Sequence, residues 1–210
     1  MSGTSSFRRG PLGRAGGKAG ALVGGAALTI ALLGGSAWAA GNGATTQTTH
    51  LHGTDAAGIE ELDFNPVDAP PGISLPHGCW LNINEGIVST SGNDIMHSTV
   101  SKDQDEFWFT TTYTGDAAVY PLVLDTKTGL PVQDPNTGNN EVDMSGAPIA
   151  TGHLTTWFGQ EGNNQNGVMH GTVSFHGTDA NGNTVNVNGH VQYATNANGQ
   201  ATATVANVSC

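Results

Sequence analysis

Histidine is the residue of this chain best suited to chemistry, because several of its eight histidines fall in segments with the composition of β-strands. Alternation after Asn166 places His170 and His176 on one face, and it places His190 on the matching polar face of the next segment. If the strand register also brought His153 there, three imidazoles could hold zinc or copper. A solvated polar face is the alternative. His170 and His176 would lie about 20 Å apart along their strand and could not share an ion.

Aromatic residues form the second group with chemical potential. They occur in two runs, Phe107–Phe109 and Trp157–Phe158, and neighbours along a strand face opposite sides of the sheet. Some of these side chains must therefore lie off the core face, where they line a ligand cavity, form an exposed patch or pack in a second layer. The candidate ligand-binding residues are Trp108, His153, Trp157 and His190.

Motifs for catalysis or cofactor binding are weak in this sequence. A Gly-x-Ser-x-Gly nucleophile turn does not occur, and the acidic residues are scattered along the chain. Asp134–Gly138 and Asp179–Asn183 resemble the first half of a calcium loop but do not continue as one, and a turn explains both equally well. The sequence therefore indicates no catalytic residue and contains no strong metal or cofactor motif.

Strands are the elements that must position these residues. Three runs of alternating apolar and polar residues follow Asn166, and turns rich in Asn and Gly separate them. Upstream, five further segments are rich in β-branched or aromatic residues, and none shows a helical period: 80–90, 94–101, 106–114, 117–125 and 149–160. The sequence predicts an all-β domain, a single antiparallel β-barrel or β-sandwich of about eight strands in mainly up-and-down order.

Three regions divide the chain. A basic stretch, an apolar run rich in Ala, Gly and Leu, and the sequence Ala37-Trp38-Ala39 predict a signal peptide over residues 1–39. Residues 40–78, with four prolines after Asn65, read as a flexible leader containing one short strand. Residues 79–210 form the predicted β-domain.

Charge and cysteine content indicate the compartment and exclude some partners. Residues 40–210 keep two basic and seventeen acidic residues, a net charge of −15. Such a surface repels nucleic acid and anionic lipid, and we expect no membrane anchor after cleavage of the signal. The two cysteines, Cys79 and Cys210, both lie in the exported part, which predicts one disulfide bond in a secreted, extracellular protein.

The motif Thr-Gly-His-Leu-Thr-Thr-Trp-Phe-Gly at residues 151–159, followed by His176-Gly177-Thr178 and a final cysteine, carries a resemblance. In these features the chain resembles a family of small secreted β-proteins from actinobacteria. The resemblance spans about residues 79–210 and implies a partner cysteine near the start of the domain. It implies no activity and no catalytic residue.

We expect a secreted, non-catalytic binding or interaction module for a small hydrophobic or aromatic ligand or for an envelope component. One alternative is a small barrel enzyme of isomerase or hydrolase type, with a histidine and a carboxylate as acid and base. Another is a structural cell-surface protein. These hypotheses differ in whether Trp157 and His153 face an enclosed space.

Overall fold

The computed structural model describes residues 43–59, 61–63, 75–103, 105–135, 139–163, 166–198 and 201–210. These residues form one antiparallel sheet of eight strands and a single 3₁₀ turn at Thr54–Ala56, which confirms the all-β prediction. The strands are β1 (Thr45–Gly53), β2 (Glu61–Asp63), β3 (Glu85–Val100), β4 (Glu106–Pro121), β5 (Ala150–Asn163), β6 (Gly167–Asp179), β7 (Thr184–Thr195) and β8 (Ala201–Ser209). The predicted signal peptide lies outside the described residues. No helix among those described is long and apolar enough to span a membrane.

Strands β3 to β8 pair in chain order, while β1 and β2 both pair with β3 at different points along its length. Within the described residues, β1 and β8 remain edge strands, so hydrogen bonds do not close the sheet into a barrel. The predicted disulfide is confirmed: Cys79 and Cys210 are bonded, with 5.3 Å between their Cα atoms. The disulfide joins the end of β8 to the segment that leads into β3. The β8 edge of the sheet is therefore linked covalently to the segment before β3.

Two strands are longer than the sequence predicted, because two glycines that resemble turn signals have another role. Four segments predicted as separate strands form only β3 and β4, and Gly92 is paired with Gly115 across them. A Cβ atom on Gly92 would lie 2.8 Å from the Cα of Gly115 and 2.9 Å from the Tyr113 hydroxyl. The backbones approach too closely for a side chain, so glycine here permits strand contact rather than a turn. A bulge between Ser89 and Ser91 marks the same place.

The leader also differs from its prediction. Residues 45–49, expected to be flexible, form the first part of β1, and β2 lies in the same predicted leader. Polar Thr and Gln residues can form an edge strand, because the long strand β3 supplies every backbone partner of β1. The sheet therefore begins well before Cys79. Residues 40–42 and 64–74, which belong to the same leader, lie outside the described part of the chain.

The sheet has an inner face, which contains the core, and an outer face. Its proximal half, at the Glu85 end of β3, has fully buried inner side chains such as Ile87, Val119, Leu154 and Phe175. The segment before β3 covers part of this face: the Trp80 ring lies 6.0 Å from that of Phe175, and its Nε1 donates to a backbone carbonyl of β7 at 2.9 Å. In the distal half, towards Val100, inner side chains are mostly half-buried. The core thus occupies one half of the sheet.

Candidate functional site

All four candidate ligand-binding residues lie on the outer face. Paired residues of an antiparallel sheet point to the same side, and the register places Trp108, His153, Trp157 and His190 opposite the buried inner row. Trp108 is 44% exposed and Trp157 is 39% exposed, while both histidines are also exposed. Trp157 and His153 therefore face solvent rather than an enclosed space. The sequence could not assign these faces, because it did not show which aromatic of each run was buried.

The register of β5 to β7 decides which histidines meet. His153 lies directly opposite His176, whereas His170 lies opposite Gly159 and His190 lies opposite Thr172. His190 is therefore two rows, or about 14 Å, from the level of His176 along the strands. The three-histidine arrangement considered from sequence does not form, but a pair does. No group of three or more His, Cys, Asp or Glu side chains that could hold a metal ion is found among the described residues.

The two exposed tryptophans have different surroundings. The Trp157 indole lies over Gly159, because a Cβ atom on that glycine would be 2.8 Å from the ring. Trp157 therefore lies along its own strand, packed on backbone. Trp108 instead lines a cleft of about 520 Å³ at the distal rim, where β3 and β5 end and where β4 and β6 begin. We call this the rim cleft.

Carboxylates flank Trp108 in the rim cleft. Glu161 lies opposite Trp108 on β5, and Thr99 lies opposite it on β3. Glu106 lies two residues before Trp108 on the same face and is paired with Asn163. All five residues line the cleft, and no basic residue among those the structure describes does. An exposed indole with two carboxylates beside it attracts a cation or a group rich in hydrogen-bond donors.

A buried acid lies on the opposite, inner face, and sequence reasoning named it only as one of several scattered acidic residues. Asp94 is fully buried, and its Oδ1 accepts a hydrogen bond from the Thr111 hydroxyl at 2.6 Å. Burial raises the pKa of Asp94, and the hydrogen bonds from the Thr111 hydroxyl and the Ile95 backbone offset part of that increase. Its Oδ2 has no partner among the described residues. The sequence contained one signal for its burial: Asp94 lies two residues before Met96, so both side chains point to the same, inner face of β3.

Within the described strands, the inner face has no histidine to pair with this acid. Every histidine in a described strand occupies an outward position of the register, and His77 lies in an exposed turn before β3. The neighbours of Asp94 in its cross-strand row are Leu51, Tyr113 and Thr156, which supply no imidazole. Tyr113 is also engaged elsewhere, since its hydroxyl lies 2.7 Å from the carbonyl oxygen of Asp116. Asp94 is therefore a buried polar group within the core.

Comparison of the chain with protein-family models, with curated proteins and with solved structures gave no match.

Proposed function

We propose that this protein is a secreted, non-catalytic binding module whose ligand site is the rim cleft. The observation that carries the proposal is the exposed Trp108, held in a cleft with carboxylates on its own and on the neighbouring strand. An indole costs free energy when it is left in water, and an aromatic platform at the centre of a concave site is a common ligand contact. The disulfide and the signal-like N-terminal sequence support secretion.

The chemistry of the cleft supports a particular class of small ligand. Trp108 favours an apolar or aromatic body, and Glu106 and Glu161 favour a positively charged or hydrogen-bond-donating group on it. The net charge of −15 for residues 40–210 acts in the same direction, because it attracts cations at long range. A small hydrophobic or aromatic molecule bearing an ammonium group meets these requirements. An envelope component that presents such a group is included in the class.

The placement of the histidines supports binding over catalysis. The alternative of a barrel enzyme needs a histidine and a carboxylate facing an enclosed cavity. Within the described strands the histidines point outward, whereas the buried carboxylate Asp94 points inward. The resemblance to secreted actinobacterial β-proteins remains part of this proposal and rests on the motif at residues 151–159.

Calorimetric titration of the disulfide-intact protein, residues 40–210, with benzyltrimethylammonium tests the proposal. Trp108→Ala should weaken binding about tenfold or more, because a cation–aromatic contact contributes roughly 1–2 kcal/mol. Trp157→Ala is the matched control: the same residue type, on the same face and similarly exposed, but outside the cleft. Equal binding by wild type and Trp108→Ala, or equal losses in both variants, would show that the rim cleft is not the site.

A second titration separates the contribution of the ligand's aromatic body from that of its positive charge. Benzyl alcohol has the same aromatic body without the charge, and benzoate has the opposite charge. We expect the order of affinity to be ammonium, then alcohol, then benzoate, and Glu161→Gln should reduce the preference for the ammonium compound. Equal affinity for ammonium and alcohol would assign binding to the apolar contact alone.

A further inference from the structure

The middle of the outer face contains no charged residue, although the chain as a whole is strongly acidic. The register aligns one residue each from β1, β3, β4, β5, β6, β7 and β8 in every cross-strand row of this region. The three rows that pass through Thr155, Trp157 and Gly159 contain no Asp, Glu, Lys or Arg. The outer rows on either side of them contain Asp116 and Glu161. We call these three rows the uncharged face.

An exposed indole occupies the centre of the uncharged face. Trp157 lies on the middle strand of the seven, with Thr112 opposite it on β4 and Thr172 opposite it on β6. A Cβ atom on Gly159 would lie 2.8 Å from one carbon of the indole and 3.0 Å from another, so the ring packs against the backbone. The side chain is nevertheless 39% exposed. Trp157 therefore presents a fixed apolar surface to solvent.

Polar, uncharged side chains surround this ring. Hydroxyl, amide and imidazole groups fill all positions of the uncharged face except Gly159, Ile95, Trp157 and Val205, and most of these side chains are exposed. Protein–protein interfaces concentrate apolar side chains at their centre, so this composition instead favours a partner rich in hydroxyl groups. An open surface also suits an extended molecule that makes repeated contacts, because a small ligand needs a concave site.

Two amides are held in place on either side of Trp157. Nδ1 of His52 donates to Oδ1 of Asn93 at 2.7 Å, and the Ser174 hydroxyl donates to Oδ1 of Asn188 at 2.9 Å. Each amide thereby keeps its Nδ2 group, which has no partner among the described residues, for a ligand. Asn93 is on β3 and Asn188 is on β7, each two strands or about 10 Å across the sheet from the Trp157 strand.

We propose that the uncharged face binds a neutral polysaccharide, with Trp157 as the stacking surface and Asn93 and Asn188 as hydrogen-bond donors. A sugar ring has a face of C–H bonds, which packs on an indole, and a rim of hydroxyl groups, which bond to amides and hydroxyls. Six strand spacings make the face about 29 Å wide, so a polymer chain that crosses the strands contacts the ring and both amides.

Charge separates this surface from the rim cleft. A net charge of −15 for residues 40–210 repels anionic polymers, and the uncharged face has no carboxylate with which to attract a cationic one. None of the residues that line the rim cleft belongs to the three rows. The proposal therefore does not depend on the function proposed for the cleft.

Native electrophoresis of disulfide-intact protein, residues 40–210, in gels that contain hydroxyethyl cellulose, galactomannan or dextran tests the proposal. We expect at least one of these neutral polymers to retard the protein, and Trp157→Ala should weaken that binding about tenfold or more. Trp108→Ala is the matched control, because that indole is also exposed on the outer face but lies beside Glu161 in the rim cleft. It should bind like wild type. Failure of all three polymers to retard the protein, or equal losses in both variants, would overturn the proposal.

Charged derivatives of the same polymers test the neutral character of the partner. Carboxymethyl cellulose and dextran sulfate should not retard the protein, because the acidic chain repels them. Added salt should leave binding to the neutral polymer unchanged, since no ion pair contributes to it. Binding that requires the anionic groups, or that salt abolishes, would contradict recognition by an uncharged surface.

Two further variants and one measurement separate recognition from folding and from self-association. Trp157→Phe keeps an aromatic ring and should retain part of the binding, whereas Asn188→Ala keeps the indole and should weaken binding several-fold. These two variants carry the test if Trp157→Ala does not fold. Sedimentation equilibrium of the protein alone should give a monomer. A dimer that Trp157→Ala dissociates would assign the face to a second copy of the chain and refute the polysaccharide site.

Discussion

The proximal and distal halves of one sheet differ in what their inner faces do. In the proximal half, Ile87, Leu154 and Phe175 are fully buried, and the segment before β3 covers them. In the distal half, Phe107 is 41% exposed although it points to the same inner side. The same strands thus supply a core at one end and an accessible rim at the other. The core that stabilises the fold and the proposed binding site therefore lie several residues apart along each strand.

This separation shows how the sheet can carry the proposed site without weakening the core. The core cluster draws residues from β3 to β7, so the long strands are fixed at their proximal ends. Their distal ends extend about seven residues further and still pair with one another. Backbone hydrogen bonds thus hold the rim in position while its side chains remain accessible. Substitutions in each half should show whether the two halves differ in energy as much as they differ in burial.

The largest effect should come from the disulfide, which connects β8 to the segment covering the proximal core. Cys79 and Cys210 are separated by 131 positions, and removal of such a loop closure should cost roughly 5 kcal/mol on the chain-entropy model. Chemical denaturation of Cys79→Ser/Cys210→Ser measures this loss. Hydrogen exchange should show β8 losing protection before β5 and β6, because β8 pairs only with β7. Uniform loss along the sheet would contradict a distinction between regions.

The second test compares one substitution in the two halves. Phe175→Ala should lower the free energy of unfolding by about 3–5 kcal/mol, because it leaves a cavity in a fully buried site. Phe107→Ala should cost about 1 kcal/mol, since much of that ring already contacts solvent and the residue covers Gly162 at the rim. Urea denaturation of both variants gives the two values. Similar losses would show that the distal half belongs to the core.

The smallest effect concerns pH and comes from Glu61 of β2, the short strand that pairs with the proximal end of β3. Burial, together with the charge of Asp63, raises the pKa of Glu61 to about 7 from 4.5. The folded state therefore binds a proton more tightly than the unfolded chain, so this group contributes stability that is lost as pH rises from 4.5 to about 7. Asp94, whose pKa burial also raises, acts in the same direction.

Glu61→Gln tests this contribution, because the amide keeps the shape of the side chain without a titratable group. Thermal unfolding across the interval should show a smaller decrease in stability for the variant than for wild type. Asp125, Asp143 and Asp179 do not obscure the result. Hydrogen bonds lower the pKa of each, so their contributions change in the acid range, below this interval. An unchanged decrease in Glu61→Gln would mean that its buried carboxyl does not control the pH response.

Much of the fold was predictable because alternation is a local property. The runs after Asn166 showed which residues share a face, and Phe175 and Val187 are indeed buried while His176 and Asn188 are not. The cysteine pairing was also predictable, since only two cysteines were present. Strand lengths were less predictable, because Gly92 and Gly115 resemble turn residues until their pairing is known.

The candidate sites depended on pairing between strands, which alternation does not determine. The sequence named Trp108 and His153, but only the register placed Glu161 beside the first and His176 beside the second. A shift by one residue would have turned these side chains to the other face, and a shift by two would have separated the histidines. Amino-acid order thus determined which residues share a face in the runs after Asn166, and it determined the disulfide. Packing between strands distant in sequence determined the register, the buried Asp94 and the position of the rim cleft.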